Sequence, residues 1–165
     1  IFRVMFKYSY HSWVVKMKLY LESSVFNFVF ADDAPDKQAI TTDFFENKSA
    51  NFDLFMSDIV FSELDNTKEP KRTALMQLLE RYPLTNLKNT QEAINLARVY
   101  VSEGIIPEKF INDALHIAIA TVNEIDSVVS WNLEHIVKIK TVVEVNKINK
   151  KKGYKQIFII TPEEI

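Results

Sequence analysis

Asn112-Asp113-Ala114-Leu115-His116-Ile117-Ala118-Ile119-Ala120 is the stretch on which the fold turns. Pro107 opens a helix expected to run to about Glu124, and the middle of that helix is apolar on nearly every side rather than along one stripe. Such a helix must be buried. Asp113 lies in its first half, where an ionised carboxylate is costly unless it is paired or holds a cation. His116 follows three residues later on the same helical face and is expected to be a core histidine bonded to backbone.

On either side of this helix, apolar strands alternate with helices. Toward the N-terminus, Thr90 to Glu103 is a capped helix that Gly104 is placed to end. Before it come a strand near Pro83 to Lys88, a helix opened by Glu69-Pro70, and a helix that Asp58 can cap. Asp53 to Ser57 reads as the second strand. Pro35 opens a helix toward Phe44 and Phe45, Ser23 or Ser24 can cap another, and Lys18-Leu19-Tyr20-Leu21-Glu22 is the first strand, ending in an acid. Toward the C-terminus, Ser127 to Ser130 is the fourth strand, Leu133 to Lys150 a helix and Gln156 to Ile160 the fifth strand. Alternation of this kind implies a parallel sheet covered on both faces, an α/β protein. Residues 1–16 have no partner in the pattern. They read as an N-terminal extension, either translated from upstream of Met17 or an extra strand or tail, and the domain as 17–165.

Composition narrows the chemistry. The chain has 165 residues, enough for one domain, with 47% hydrophobic and 25% charged residues, as in an ordinary globular protein. No apolar run approaches the roughly 18 residues of a membrane span, and no secretory signal is legible, so a cytoplasmic address is expected. Without cysteine there is no disulfide, thiolate nucleophile or Cys-ligated metal. Two glycines, Gly104 and Gly153, cannot build a phosphate-cradling loop or a nucleophile elbow. None of the three histidines pairs at the i, i+4 spacing of a helical zinc site, so chemistry must rest on oxygen ligands. The formal net charge of −2 argues against a general nucleic-acid coat.

Ligands of open α/β sheets bind beyond the carboxyl ends of the strands, where the strand order reverses. Glu22 ends the first strand, Glu63 lies in the helix after the second, and Asn132 follows the fourth. With Asp113 they make the candidate set. Their order, together with Tyr20-Leu21-Glu22-Ser23-Ser24-Val25, Ser62-Glu63-Leu64 and Asp113-Ala114-Leu115-His116-Ile117-Ala118, resembles the PIN-domain family, in particular its bacterial, single-domain, VapC-like branch. The resemblance covers about residues 17–165. It implies a three-layer α/β/α sandwich with a five-stranded parallel sheet in the order 3-2-1-4-5, bound Mg²⁺ or Mn²⁺, and endonucleolytic cleavage of RNA. It also implies a role as the toxin of a type II toxin–antitoxin pair, with an antitoxin partner and a homodimer among the expected assemblies.

The chain departs from the family's pattern at two positions: Glu22 stands where Asp is usual, and Asn132 where Asp is frequent. The longer Glu22 would carry its carboxylate about 1.5 Å outward, which matters to an ion as demanding as Mg²⁺. Glu22 and Asp113 are expected to hold the metal, Glu63 to be a further ligand or to orient water, and Asn132 to bond metal-bound water or phosphate or else to cap the next helix. Glu134 is a further acid that could compensate, and Ser24 is expected either to bond a metal ligand or only to cap its helix. Lys138, Lys140, Lys147, Lys150, Lys151, Lys152 and Lys155 form either a solvated face or an RNA path, and Trp131 either a core residue or a stacking platform. Two rival functions remain at this stage: a catalytically weak PIN-like module that binds nucleic acid or protein, and a DNA nuclease on the same scaffold.

Overall fold

Five short strands, apolar where they face the interior, pair side by side in parallel: β1 (Lys18–Leu21), β2 (Asp53–Ser57), β3 (Leu84–Leu87), β4 (Ser127–Val129) and β5 (Phe158–Ile160). This is a computed structural model, and it describes residues 15–165. The extension expected at 1–16 therefore lies outside the described residues except for Val15 and Lys16, whose Nζ donates to the Ala50 carbonyl at 2.6 Å.

The sheet order is β3-β2-β1-β4-β5. β1 sits at its centre, with Leu19 registered against Leu54 on one side and Ser127 on the other. Leu19, Tyr20 and Leu21 are buried on both faces, as a central parallel strand requires. From β1 the chain moves outward through β2 to β3, then crosses to β4 and β5. The order thus reverses between β1 and β4, which opens a crevice at their carboxyl ends.

Among the described residues seven α-helices cover the sheet: α1 (Ser23–Phe28), α2 (Pro35–Asp43), α3 (Asp58–Asp65), α4 (Lys71–Arg81), α5 (Gln91–Ser102), α6 (Ile111–Val122) and α7 (Ile139–Lys152). Right-handed crossovers put α1–α4 over one face and α5–α7 over the other, a three-layer α/β/α sandwich. α6 is the buried helix: Ala114, His116, Ile117, Ala118, Ile119, Ala120 and Thr121 are all inaccessible. A polar pin joins the second layer. The buried Tyr100 hydroxyl of α5 donates to Asn149 Oδ1 of α7 at 2.5 Å, and Asn149 Nδ2 reaches Thr121 Oγ1 of α6 at 3.4 Å. Among the described residues no helix is long and apolar enough to cross a membrane.

Several boundaries differ from the sequence expectation. Pro107 precedes a short 3₁₀ turn, Glu108–Phe110, and α6 starts only at Ile111. The last helix begins at Ile139 instead of Leu133, because Asn132 organises a separate turn. Asn132 Oδ1 accepts from His135 N at 3.0 Å, and its carbonyl accepts from Ile136 N and Val137 N, which tucks Ile136 into the core. Ser57, not Asp58, caps α3 by accepting from Val60 N. Asp58 instead accepts from Asn86 and Lys88 beside β3.

Tyr100→Phe tests the polar pin. It leaves the buried Asn149 carbonyl without its donor and is expected to lower unfolding free energy by about 1–3 kcal/mol, read as a lower urea midpoint with unchanged slope.

Candidate metal centre

Three hydroxyls gather around one carboxylate at the crevice. Glu22 directly follows β1, and its backbone N–H extends the sheet by donating to the Val129 carbonyl at 3.0 Å. Its side chain is 5% exposed, so its charge is almost wholly removed from water. Ser23 Oγ donates to Oε1 at 2.6 Å, Ser130 Oγ donates to Oε2 at 2.7 Å, and Ser24 Oγ also donates to Oε2. Two of these serines are aimed by backbone. Trp131 N donates to Ser24 Oγ at 2.8 Å and Asn132 N to Ser130 Oγ at 2.9 Å, which turns both hydroxyl protons toward Glu22. Ser23 and Ser24 therefore serve Glu22 and do not cap α1, whose N-cap makes no side-chain hydrogen bond.

α3 carries Glu63 to the same point. Its Oε1 accepts from Asn112 Nδ2 at 3.2 Å and its Oε2 meets His116 Nε2 at 3.2 Å. His116 is fully enclosed, and its Nδ1 bonds the Tyr20 hydroxyl at 2.8 Å. Tyr20 in turn meets Ser57 Oγ at 2.6 Å. A chain of hydrogen bonds thus runs Glu63–His116–Tyr20–Ser57 from the crevice into the core. His116 is the core histidine expected from sequence, but its partners are side chains, not backbone. One oxygen each of Glu22 and Glu63 and one ring nitrogen of His116 lie within 4.8 Å of one another, close enough to share a single ion.

Asp113 and Asn132 stand beside this cluster, outside the tight set. α6 runs antiparallel to the strands, so Asp113 in its first turn is nearer the sheet's carboxyl edge and His116 lies one turn deeper. Asp113 is half-buried, and Asn132 lies close enough to lower its carboxyl somewhat while Asn132 Oδ1 caps its own turn. His135 also faces Asp113 electrostatically and packs on Phe110 at 3.8 Å between ring centroids. Glu134 is exposed and pairs with His135 at 3.6 Å, away from the three converging groups.

Electrostatics separate the acids. Burial raises the Asp113 carboxyl, the nearby Glu22 charge raises it further, and His116, Asn132 and His135 only partly offset this, so it lies above the ordinary aspartate range. Burial also pushes Glu63 up, but hydrogen bonds from His116 and Asn112 and the His116 charge outweigh it and hold Glu63 low. Burial pushes His116 down, yet its bond to Glu63 and the charges of Glu22, Glu63 and Asp113 win, leaving it raised. The acids around His116 thus favour its protonated form over the neutral ring. The donor set fits a divalent ion: two carboxylates and an imidazole, with a third carboxylate one helical turn away.

Other sequence candidates fall elsewhere. Trp131 is a core residue: its Nε1 donates to Thr41 Oγ1 at 2.8 Å and its ring lies 5.7 Å from that of Phe28. Lys150, Lys151 and Lys152 occupy the last turn of α7, at the end of the sheet opposite the crevice, where they complement the helix dipole. Ser130, Tyr20, Ser57 and His135 were not legible as site residues. The one available signal was His116 at three residues from Asp113.

No family model matches the chain, and no curated protein matches it by sequence. Solved structures do match it in fold. A chain of the VapBC2 complex from Rickettsia felis bound to a DNA fragment from its promoter, and one of DNA-bound VapBC from Salmonella typhimurium, each give a TM-score of 0.54 at 16% identity. In both cases the match covers 88% of this chain and 98% of the other. The likeness shows a shared fold.

The pair Glu63–His116 gives a pH signature in EDTA. Glu63, lowered on folding, adds stability that is present above its ordinary value of 4.5 and is lost as pH falls through its folded value. His116, raised on folding, adds stability present below 6.5 and lost as pH rises through its folded value. The melting-temperature gap between wild type and Glu63→Gln is therefore expected to be widest between these pH values and to narrow on both sides; a gap independent of pH contradicts the pairing.

Proposed function

We propose that this chain is a metal-dependent endoribonuclease that hydrolyses RNA phosphodiester bonds, and that it is the toxin of a type II toxin–antitoxin pair. The carrying observation is the convergence of Glu22, Glu63 and His116, with Asp113 beside them, at the point where the sheet order reverses. The fold shared with chains of two VapBC complexes supports the toxin assignment and an antitoxin partner.

A bound Mg²⁺ or Mn²⁺ would supply charge neutralisation at the phosphate and a more acidic water. Glu22 and Glu63 would hold the ion, with Asp113 completing the oxygen set at the crevice mouth. Glu22 is suited to this despite its extra methylene, because three hydroxyls clamp the longer side chain and fix where its free lone pair points. Oε2 already accepts two hydrogen bonds and Oε1 one, so Oε1 keeps a position for a cation. Asp113, half-buried at the crevice mouth with its carboxyl raised by burial and by the Glu22 charge, is the acid proposed to take a proton from the attacking water. A homodimer belongs to the same proposal.

Cleavage of single-stranded RNA is expected in Mg²⁺ or Mn²⁺, to stop in EDTA, and to fall by about 10²–10⁴-fold in Asp113→Asn. The same assay on single-stranded DNA divides ribonuclease from deoxyribonuclease. Wild-type rates in both Asp113→Asn and Glu63→Gln would defeat the proposal.

A further inference from the structure

We propose that His116 is itself a metal ligand, and that the site is a mixed nitrogen–oxygen centre which takes Mn²⁺ in preference to Mg²⁺. This rests on the metal-dependent reading above and specifies the ion. An acids-only site would be built from Glu22, Glu63 and Asp113. The geometry assembles a different trio: the atoms that lie within 4.8 Å of one another belong to Glu22, Glu63 and His116.

Ligation by histidine requires a ring whose orientation and tautomer are set by its other nitrogen. His116 meets that requirement. Its Nδ1 is bonded to the Tyr20 hydroxyl at 2.8 Å, and Tyr20 is anchored by Ser57 at 2.6 Å, all of it buried. With Nδ1–H donating to Tyr20 and the Tyr20 hydroxyl donating to Ser57, release of the Nε2 proton on metal binding would leave the Nε2 lone pair facing Glu63 and Glu22. Ser57 is itself fixed, because it caps α3, the helix that carries Glu63. One hydroxyl therefore sets both the imidazole, through Tyr20, and the start of the helix bearing a carboxylate ligand. An ordinary core histidine has no need of two carboxylates on the side facing a crevice.

The donor set selects the ion. Mg²⁺ demands near-ideal octahedral geometry, keeps its waters and binds through carboxylate oxygens. Imidazole favours first-row transition ions, and of the two ions named above only Mn²⁺ belongs to that series, at its weakly binding end. Tyr20 is then a positioning residue for the ligand, not a participant in hydrolysis.

The test uses the full chain, freed of metal and loaded with Mn²⁺ alone. Pulsed electron paramagnetic resonance is expected to show nitrogen modulation that changes when histidine is isotopically labelled, persists in His135→Asn and disappears in His116→Gln. Calorimetric titration is expected to give tighter binding of Mn²⁺ than Mg²⁺, with Tyr20→Phe weakening Mn²⁺ by about 10-fold or more. The spectroscopic readout needs only the wild-type protein, so a poorly folding variant does not remove it. Mn²⁺ binding that is lost in Glu22→Gln but carries no histidine nitrogen modulation overturns this inference and leaves the nuclease reading standing. Absence of any Mn²⁺ binding overturns both.

Discussion

Carboxylates withdrawn from water repel one another and must be matched by donors or positive charge, and that constraint governs the carboxyl edge of this sheet. Glu22 is met by three serine hydroxyls, Glu63 by the imidazole of His116 and the amide of Asn112, and Asp113 by Asn132 and the more distant imidazoles. Each of these groups is fixed by something further back. The loop after β4 aims two of the serines through its backbone N–H groups, and the buried Tyr20–Ser57 pair fixes the imidazole. Among the described residues no buried side-chain nitrogen or oxygen lacks a partner, as a low-dielectric site of this kind requires.

The sheet topology makes this gathering possible. β1 is flanked by β2 and β4, so the residues leaving these three strands emerge together: Glu22 after β1, Ser57 and α3 after β2, Ser130 and Asn132 after β4. α6 enters the same region from the opposite layer with its first turn foremost, bringing Asp113 and then His116. β1 ends at one acid, α3 supplies a second, and α6 supplies the third together with the imidazole. The polar pin of Tyr100, Thr121 and Asn149 holds that second layer to itself without touching the crevice.

Most of the fold was legible because its signals are local and strong. Alternating apolar strands, caps such as Thr90, and the all-round apolar Ala114–Ala120 segment each depend on neighbours in the chain. The misplaced starts of α6 and α7 have a common cause. Pro107 and Asn132 both carry helix-start signals, but each begins a short turn instead, because tertiary hydrogen bonds and the burial of Ile136 use the intervening residues differently.

The sequence by itself determined the class of the protein, the sheet order through the family resemblance, and the acids brought to the crevice, since strand ends and a carboxylate inside an apolar helix are visible without coordinates. Only the tertiary structure decided which donors surround each acid and which atoms come nearest one another. His116, Tyr20, Ser57 and Ser130 acquire their roles from partners 37 to 108 residues away in the chain. Distances between side-chain atoms depend on how layers pack, a non-local property that no spacing in the sequence encodes.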